Sequence, residues 1–211
     1  MSLLVKNNLL DIFESSSTIK YLNKDELNRL ILAYQRWFEE PQPKGRRKAR
    51  ARHWVIFLFL RYTGARVSEV LAIDDVRDID FREGFVRVST LKRHSKKKQG
   101  LSRQIPIPPL LLGEYGRAVA EFSELRGTFF KVSRVTVFNH FRARAEEAGL
   151  LPELRHPHVL RHTRAIELLR GGVPVTVVQD LLGHAALNTT AMYLKFSGVE
   201  VKQILKDRGF L

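Results

Sequence analysis

The 211 residues carry a formal net charge of +14, with 36 lysines and arginines against 22 aspartates and glutamates, and they include no cysteine. A basic excess of this size points to a polyanionic partner, because lysine and arginine release condensed counterions when they neutralise phosphates; a basic protein that is merely well solvated is the alternative. The lack of cysteine excludes disulfides, thiolate nucleophiles and cysteine-based zinc sites, and the apolar runs are too short to span a membrane, so we expect a cytoplasmic protein with no membrane partner.

The first predicted helix follows an N-terminal arm. Residues 1–20 have a mixed composition that ends in a serine-rich stretch, and we interpret them as an arm rather than a domain. Asn23 can cap a helix, and Glu26 is placed to complete a capping box. Leu27, Leu30, Ile31 and Tyr34 then recur at helical spacing and mark its buried face. Prolines at positions 41 and 43 end this helix.

A basic stretch separates this helix from the next one. Six lysines and arginines and no acidic residue occur between Lys44 and Arg52, and we interpret the stretch as a loop. Two interpretations of the loop stay open. It is either solvated and mobile, or it contacts the polyanionic partner directly through Lys44, Arg46, Arg47, Lys48 and Arg50. A strongly apolar helix is predicted from about residue 50 to residue 62, and it stops at Thr63-Gly64.

The middle of the chain contains the one clear β pattern. A short helix is predicted near residues 67–71. Residues 77–81 and 85–90 flank a turn at Arg82-Glu83-Gly84, and residues 103–107 follow a basic loop, which predicts a three-stranded antiparallel sheet. The remaining segments are predicted to be helical, near 110–125, 133–148, 158–170, 174–182, 189–196 and 199–206, with Gly149, Gly171-Gly172 and Gly183 as stops. The predicted fold class is mainly α (α+β), a single helical domain with a small three-stranded antiparallel sheet.

Four side chains near the C-terminus form a chemical set without a carboxylate: His158, Arg161, His184 and Tyr193. His158 and Arg161 are three residues apart, so they share one face of a helix. A guanidinium can bind two phosphate oxygens, an imidazole can move a proton at neutral pH, and a phenol can attack phosphorus once cations and a base stabilise its phenolate. Taken singly, each of these residues is more often structural. No metal-ligand spacing is present in the sequence, so we expect neither a metal nor a cofactor.

A second guanidinium follows a glycine turn in the segment TGARVSEV. Arg66 opens the short helix, and Glu69, three residues later, is placed to orient it. Two arginines around one phosphate would stabilise the extra negative charge of a five-coordinate phosphorus. His156 and His162 are interpreted as structural or supporting residues.

The chain resembles the tyrosine recombinase/integrase family over roughly residues 21–196. The segment TGARVSEVLAI is similar to the first arginine box of that family, and HVLRHTRAIELLRGGVPVTVVQDLLGHAALNTTAMYLKF is similar to the second box, which contains the nucleophilic tyrosine. The resemblance implies a catalytic domain that cleaves and rejoins DNA strands by a type IB mechanism. It also implies a 3′-phosphotyrosine intermediate, a free 5′-hydroxyl and no need for a metal.

The same resemblance implies a role for each residue of the set. Tyr193 attacks the scissile phosphate, and Arg66 and Arg161 hold the non-bridging oxygens. His158 acts as general base or acid toward Tyr193, and His184 hydrogen-bonds the phosphate.

The family also uses a lysine on a β-hairpin, which protonates the departing 5′-oxygen. In this chain Lys92 ends the second predicted strand at the expected place, and flexibility of the hairpin loop leaves the choice among its lysines open. Four other basic residues of the hairpin loop are predicted to contact DNA: Arg93, Lys96, Lys97 and Lys98. Arg164, in the second box, is predicted to do the same.

The resemblance also bears on organisation and partners. Most family members carry a separate N-terminal helical domain, and no such core-binding domain precedes the catalytic domain in residues 1–211. The chain is therefore either a minimal recombinase or part of a longer protein, with an arm at 1–20 and a catalytic domain at 21–211. A short amphipathic helix within 198–211 either folds back or is donated to a neighbouring protomer. The expected partner is double-stranded DNA with an inverted-repeat recombination site, bound by a self-assembled dimer or tetramer.

Two other functions share some of these features. A DNA-relaxing type IB topoisomerase would use the same chemistry and differ in synapsis. A non-catalytic helix-turn-helix module could be built from residues 174–182 and 189–196 around a glycine turn. The module explains the charge but gives no reason for Arg66, His158 and Arg161.

Overall fold

The computed structural model describes residues 19–90 and 102–183, together with Gly209. The α-helices of this part are α1 (Lys24–Glu39), α2 (Lys44–Thr63), α3 (Val67–Val70), α4 (Pro109–Glu121), α5 (Arg134–Glu147), α6 (His158–Arg170) and α7 (Val175–Leu182). Three strands, β1 (Ile79–Asp80), β2 (Phe85–Ser89) and β3 (Ser102–Pro106), and two 3-10 turns, Ser123–Leu125 and Pro152–Leu154, complete it. The predicted mainly helical fold with a small antiparallel sheet is confirmed. The helices predicted at 189–196 and 199–206 lie outside the described residues.

Helix α1 begins as the capping box predicts. The backbone N–H of Glu26 donates to Asn23 Oδ1 at 2.9 Å, and the Glu26 carboxylate accepts the backbone N–H of Asn23 at 2.9 Å. Leu27, Leu30 and Tyr34 are buried on the predicted face, and Ile31 is partly buried beside them. Only Ile19 and Lys20 of the predicted arm are described, and Ile19 is buried against α6 and α7.

The prediction of a basic loop before α2 is wrong, because the helix starts at Lys44. Lysine, arginine and alanine are good helix formers, and Pro43 stands where a helix can begin. Three of the cations also find partners nearby: Arg47 pairs with Glu121 at 2.6 Å, Lys48 with Glu124 at 3.2 Å and Arg50 with Glu40 at 2.7 Å. The 20 residues of α2 span about 30 Å, so this basic end lies far from Gly64 at the other end.

The second half of α2 is the centre of the core. Every residue from 53 to 60 is buried, because α1, α4, α5 and α6 all pack around this helix. A helix that is apolar on all sides is stable only when it is enclosed in this way. Aromatic rings fill the contacts: Phe57 stacks on Tyr34 at a centroid distance of 3.9 Å, and Phe59 meets Phe130 edge-on at 4.9 Å. No helix in the described part of the chain is both long and apolar enough to cross a membrane.

The strands form one sheet in the order β1-β2-β3, and both pairings are antiparallel as predicted. Val86 and Val88 of β2 are buried while Arg87 and Ser89 are exposed, which is the alternation of a sheet with one solvated face. β1 is shorter than the predicted 77–81, because the Asp78 carboxylate accepts the backbone N–H of Asp74 and holds this segment in a turn.

Two imidazoles pack against each other between α2 and α5, where His53 is buried and His140 is partly buried. The rings of His53 and His140 lie 4.1 Å apart at their centroids, and the ring of Trp37 lies 5.0 Å from His140. Burial, together with the charges of His140 and Arg52, lowers the pKa of His53 to about 3. Burial and the charges of Arg144 and Arg50 also lower the pKa of His140. Both histidines are therefore neutral at pH 7.

We expect this pair to make the fold sensitive to acid. The contribution of His53 to stability is complete above the unfolded-state pKa of about 6.5 and is lost as the pH falls toward the folded-state pKa of about 3. In urea unfolding, the unfolding free energy of His53→Phe should fall less steeply below about pH 6.5 than that of the wild type, by about 1 kcal/mol per pH unit. The control is the slope of unfolding free energy against pH above neutral pH, because the imidazole is neutral there in both the folded and the unfolded state. An unchanged slope below about pH 6.5 would contradict this prediction.

Candidate active site

The turn between α2 and α3 places Arg66. α2 ends at Gly64, whose φ is 62° and whose N–H donates to the carbonyl of Leu60. Any other residue would be strained there, and its Cβ would lie 2.6 Å from Leu182 Cδ2. Glycine therefore allows the end of α7 to approach the end of α2 closely. Arg66 follows two residues later and precedes the first residue of α3.

Glu69 holds Arg66 from inside the protein. Arg66 Nη1 donates to Glu69 Oε1 at 2.9 Å, and the backbone N–H of Arg66 donates to Oε2 at 3.0 Å. The Glu69 side chain is fully buried, while 40% of the Arg66 side chain is exposed. Burial alone would raise the pKa of Glu69, but the hydrogen bonds and charges of Arg103 and Arg66 bring it below its usual value. The predicted contact is present, and a buried carboxylate orients an arginine that solvent can reach.

An open cavity of about 600 Å³ lies in front of Arg66. Its lining comprises the segment from Ala65 to Ser68, the start of α6 at Pro157 and His158, and the side chains of Arg134 and Phe138 from α5. Arg66 and His158, which are 92 positions apart in the sequence, therefore face one space.

Helix α6 brings Arg161 to the same turn. Arg161 Nη1 donates to the carbonyl of Gly64 at 2.9 Å, and the residue is only 3% exposed. The contact joins the first turn of α6 to the residue that precedes the cavity-lining segment. Four predicted residues are thus brought together by the described structure: Arg66, Glu69, His158 and Arg161.

The electrostatic setting of His158 favours the neutral imidazole. Partial desolvation of the ring, with the charges of Arg161, His156 and Arg66, lowers its pKa below the usual value. The ring of His162 meets that of His158 edge-on at a centroid distance of 4.7 Å, and its own pKa is lowered by burial and by His158. A neutral imidazole among cations can accept a proton, which is the property required of a general base.

Several predicted residues lie outside the described part of the chain: Lys92, Arg93, Lys96, Lys97, Lys98, His184 and Tyr193. Gly183, which directly precedes His184, ends α7 in the left-handed conformation, as the predicted stop requires. Arg164 is half-buried rather than fully exposed. Its stem packs against Gly64, and its guanidinium lies 3.7 Å from Glu167. Its predicted contact with DNA stays a prediction.

The structure adds two arginines that the sequence patterns did not single out. Arg134 lines the cavity from α5, where its guanidinium lies over the ring of Phe138 at 5.2 Å. Arg103 forms a second ion pair with Glu69, at 2.9 Å. The sequence could have indicated that Arg103 points inward, because strand alternation puts this charged residue on the same face as Ile105, which is buried. Among the described residues, no cluster of histidines and acidic residues could hold a metal ion.

The sequence of the chain is similar to those of known proteins. The sequence pattern of the phage integrase family matches residues 20–197. The chain is 30% identical over 201 residues to the tyrosine recombinase XerA of Pyrococcus furiosus, covering 91% of this chain and 63% of that protein. It is 34% identical over 161 residues to the tyrosine recombinase XerD of Bifidobacterium longum, covering 66% of this chain and 48% of that protein. The chain thus spans less than two thirds of either relative.

The fold is also similar to solved structures. The XerA recombinase superposes with a TM-score of 0.67 at 25% identity, over 92% of this chain and 65% of that chain. The catalytic domain of bacteriophage HP1 integrase shares the fold with a TM-score of 0.59 at 21% identity, over 89% of this chain and 94% of that domain. Together with the match over residues 20–197, these similarities show that the chain belongs to the phage integrase family of tyrosine recombinases.

Proposed function

We propose that this chain is a site-specific DNA recombinase that cleaves and rejoins DNA strands through Tyr193. The observation that carries the proposal is that Arg66 and His158 line one open cavity while Arg161 binds the adjoining turn at Gly64, in a chain of this family. The net charge of +14 suits a DNA substrate. A DNA substrate would place the reaction in the cytoplasm.

The proposed reaction forms one bond to phosphorus and breaks another. The phenolic oxygen of Tyr193 attacks the scissile phosphate, and the bond from phosphorus to the 5′-oxygen breaks, which leaves a 3′-phosphotyrosine and a free 5′-hydroxyl. Arg66 and Arg161 would bind the non-bridging oxygens, where the negative charge grows in the transition state. His184 would donate a further hydrogen bond to the phosphate. Rejoining is the same sequence run backwards.

Two groups would move the protons of this reaction. The phenol of Tyr193 gives its proton to His158, and Lys92 gives a proton to the departing 5′-oxygen. In the free protein, partial burial and then the cations around His158 keep its pKa low. A bound phosphate neutralises part of that positive charge, so it raises the pKa of His158 and makes the imidazole a stronger base at neutral pH. The residues thus act without a metal in this proposal.

The proposed substrate is double-stranded DNA with an inverted repeat, bound by a dimer or tetramer that residues 198–211 help to assemble. XerH has been solved bound to a palindromic difH substrate, and lambda integrase as a dimer bound to a core site. Lys44 and Arg46 are exposed at the far end of α2. Their distance of about 30 Å from Gly64 is close to one turn of duplex, so the proposed phosphate contacts there would lie one turn away from the cleavage site.

A covalent-capture experiment on a library of DNA sequences tests the function. The wild-type protein is incubated with nicked duplexes of varied sequence, in which cleavage near the nick releases a short fragment and traps the intermediate. DNA that stays attached to denatured protein, with a new 5′-hydroxyl on the released fragment, supports the proposal. The absence of any adduct, also with the inverted repeats beside the coding sequence, would contradict it. Relaxation of supercoils without resolution of Holliday junctions would support the topoisomerase alternative.

Arg134 should contribute to DNA affinity rather than to the cleavage rate. Its guanidinium lines the cavity beside Arg66 and is exposed, so it is placed to contact a neighbouring phosphate. For Arg134→Ala, we expect the slope of log affinity against log salt to become shallower by about one, while the cleavage rate at saturating protein stays unchanged. Arg117→Ala is a matched control, because Arg117 is an exposed helical arginine outside this cavity. An unaltered slope would place Arg134 outside the DNA interface.

A further inference from the structure

Arg103 ties three separate elements together beneath the candidate active site. Its Nη2 donates to Glu69 Oε2 at 2.9 Å, its Nε to the carbonyl of Leu181 at 2.7 Å, and its Nη1 to Thr90 Oγ1 at 3.4 Å. These partners belong to α3, to the last turn of α7 and to the residue after β2. Each of its three guanidinium nitrogens already donates to a group of the protein, so Arg103 itself is not placed to bind a phosphate.

The ion pair with Arg103 decides how much positive charge Arg66 can offer. Glu69 is fully buried, and a buried carboxylate is costly unless its charge is compensated. If Arg66 were the only partner, the pair would be neutral and would attract a phosphate weakly. With Arg103 as second partner, the three groups carry a net positive charge of one, and the exposed member is Arg66.

The same guanidinium supports the end of α7. The carbonyl of Leu181 is among the last of the helix, which have no partner within the helix and accept hydrogen bonds from cations. Gly183, in the left-handed conformation, lies directly against the guanidinium, and a Cβ there would lie 2.8 Å from Arg103 Nη1. Arg103 therefore fixes the position of Gly183, after which the chain continues to His184, relative to Glu69.

We propose that Arg103 is a positioning residue that neutralises buried Glu69 and so leaves the charge of Arg66 available to a DNA phosphate, while it anchors the C-terminal end of α7 beside this pair. The proposal rests on the proposed function for the identity of the phosphate. It assigns Arg103 no contact with the substrate. A purely structural arginine would stabilise the fold equally well but would not govern the charge at Arg66.

The first test is the rate of adduct formation at saturating protein. We expect Arg103→Ala to slow it about 100-fold, which is the size of effect that displacement of a reacting group produces. Arg52→Ala is the matched control, because Arg52 also anchors backbone carbonyls, those of Thr128, Phe129 and Lys131. It should lower the melting temperature as much as Arg103→Ala does but leave the rate unchanged. Equal rate losses in both variants would overturn the positioning role.

The second test replaces Glu69 as well. If Arg103 acts by neutralising Glu69, then Glu69→Gln should restore part of the rate lost in Arg103→Ala, because the buried negative charge is then absent. A merely structural Arg103 predicts the opposite, since the double variant would lose both groups. A double variant that is no faster than Arg103→Ala would contradict the proposal.

The third test does not depend on cleavage. For a short duplex of unrelated sequence, Arg66→Ala and Arg103→Ala should each make the slope of log affinity against log salt shallower by about one, and adding Glu69→Gln to Arg103→Ala should restore the wild-type slope. This result is expected because Arg66 without Arg103 is neutralised by Glu69. If the wild-type chain forms no adduct, the proposed function fails while this cycle still tests Arg103. A slope that stays as shallow in the variant with both Arg103→Ala and Glu69→Gln as in Arg103→Ala alone would overturn the inference.

Discussion

Replacement of Tyr193 by phenylalanine is expected to abolish the covalent protein–DNA adduct while leaving DNA binding intact. The substitution removes only the phenolic oxygen, which is the atom that forms the bond to phosphorus in the proposed reaction. No other group in the proposed site can replace it, so the loss should be complete within detection rather than a fractional decrease. Gel separation of denatured reactions on a nicked duplex measures the adduct, and a mobility shift under native conditions measures binding.

The other four tyrosines of the chain provide the controls. Burial raises the pKa of Tyr34, and burial with the hydrogen bond to Asp75 raises that of Tyr115, so both phenols stay protonated and are poor nucleophiles. Tyr21→Phe and Tyr62→Phe should each leave adduct formation within about twofold of the wild type, because both residues lie outside the cavity lining and lose only a hydroxyl group. An adduct formed by the Tyr193→Phe variant, or lost in either control, would show that another residue attacks.

Contacts between residues that are close together in the sequence could be predicted. The capping box of α1 lies within four residues, and Arg66 and Glu69 are one helical turn apart, so local geometry alone brings each pair together. The error at the start of α2 also has a local cause. A run of positive charge was interpreted as a loop, although its acidic partners Glu121 and Glu124 come from a segment more than 70 positions later.

Features that depend on tertiary packing could not be predicted in this way. Arg103 meets Glu69 across 34 positions and the carbonyl of Leu181 across 78. The contact between buried His53 and partly buried His140 forms only once α2 packs against α5. The sequence does carry a partial signal for such residues, since a charged or titratable group at an inward position of a strand or helix needs a partner from elsewhere in the fold.

Arg161 is expected to show the largest effect among the described residues, and the effect has two parts. The guanidinium donates to the carbonyl of Gly64 and is 3% exposed, so Arg161→Ala leaves a buried carbonyl without this donor. Loss of such a bond costs about 1–3 kcal/mol of unfolding free energy. The proposed contact with the non-bridging oxygens adds a catalytic loss of about 10³-fold, the range seen for arginines that stabilise phosphoryl transfer.

Arg161→Lys separates the two parts. Lysine keeps the positive charge but cannot bind two oxygens in a fork, so the rate of adduct formation should still fall by about 10²-fold or more while part of the stability is retained. Arg144→Lys is the matched control, because Arg144 is also buried, at 8% exposed, and pairs with Glu147 on α5 outside the cavity lining. Single-turnover rates and urea unfolding are measured for both variants. A rate loss in Arg161→Lys no larger than that in Arg144→Lys would mean that Arg161 serves the turn at Gly64 alone, and that Arg66 is left to hold the phosphate without a second guanidinium.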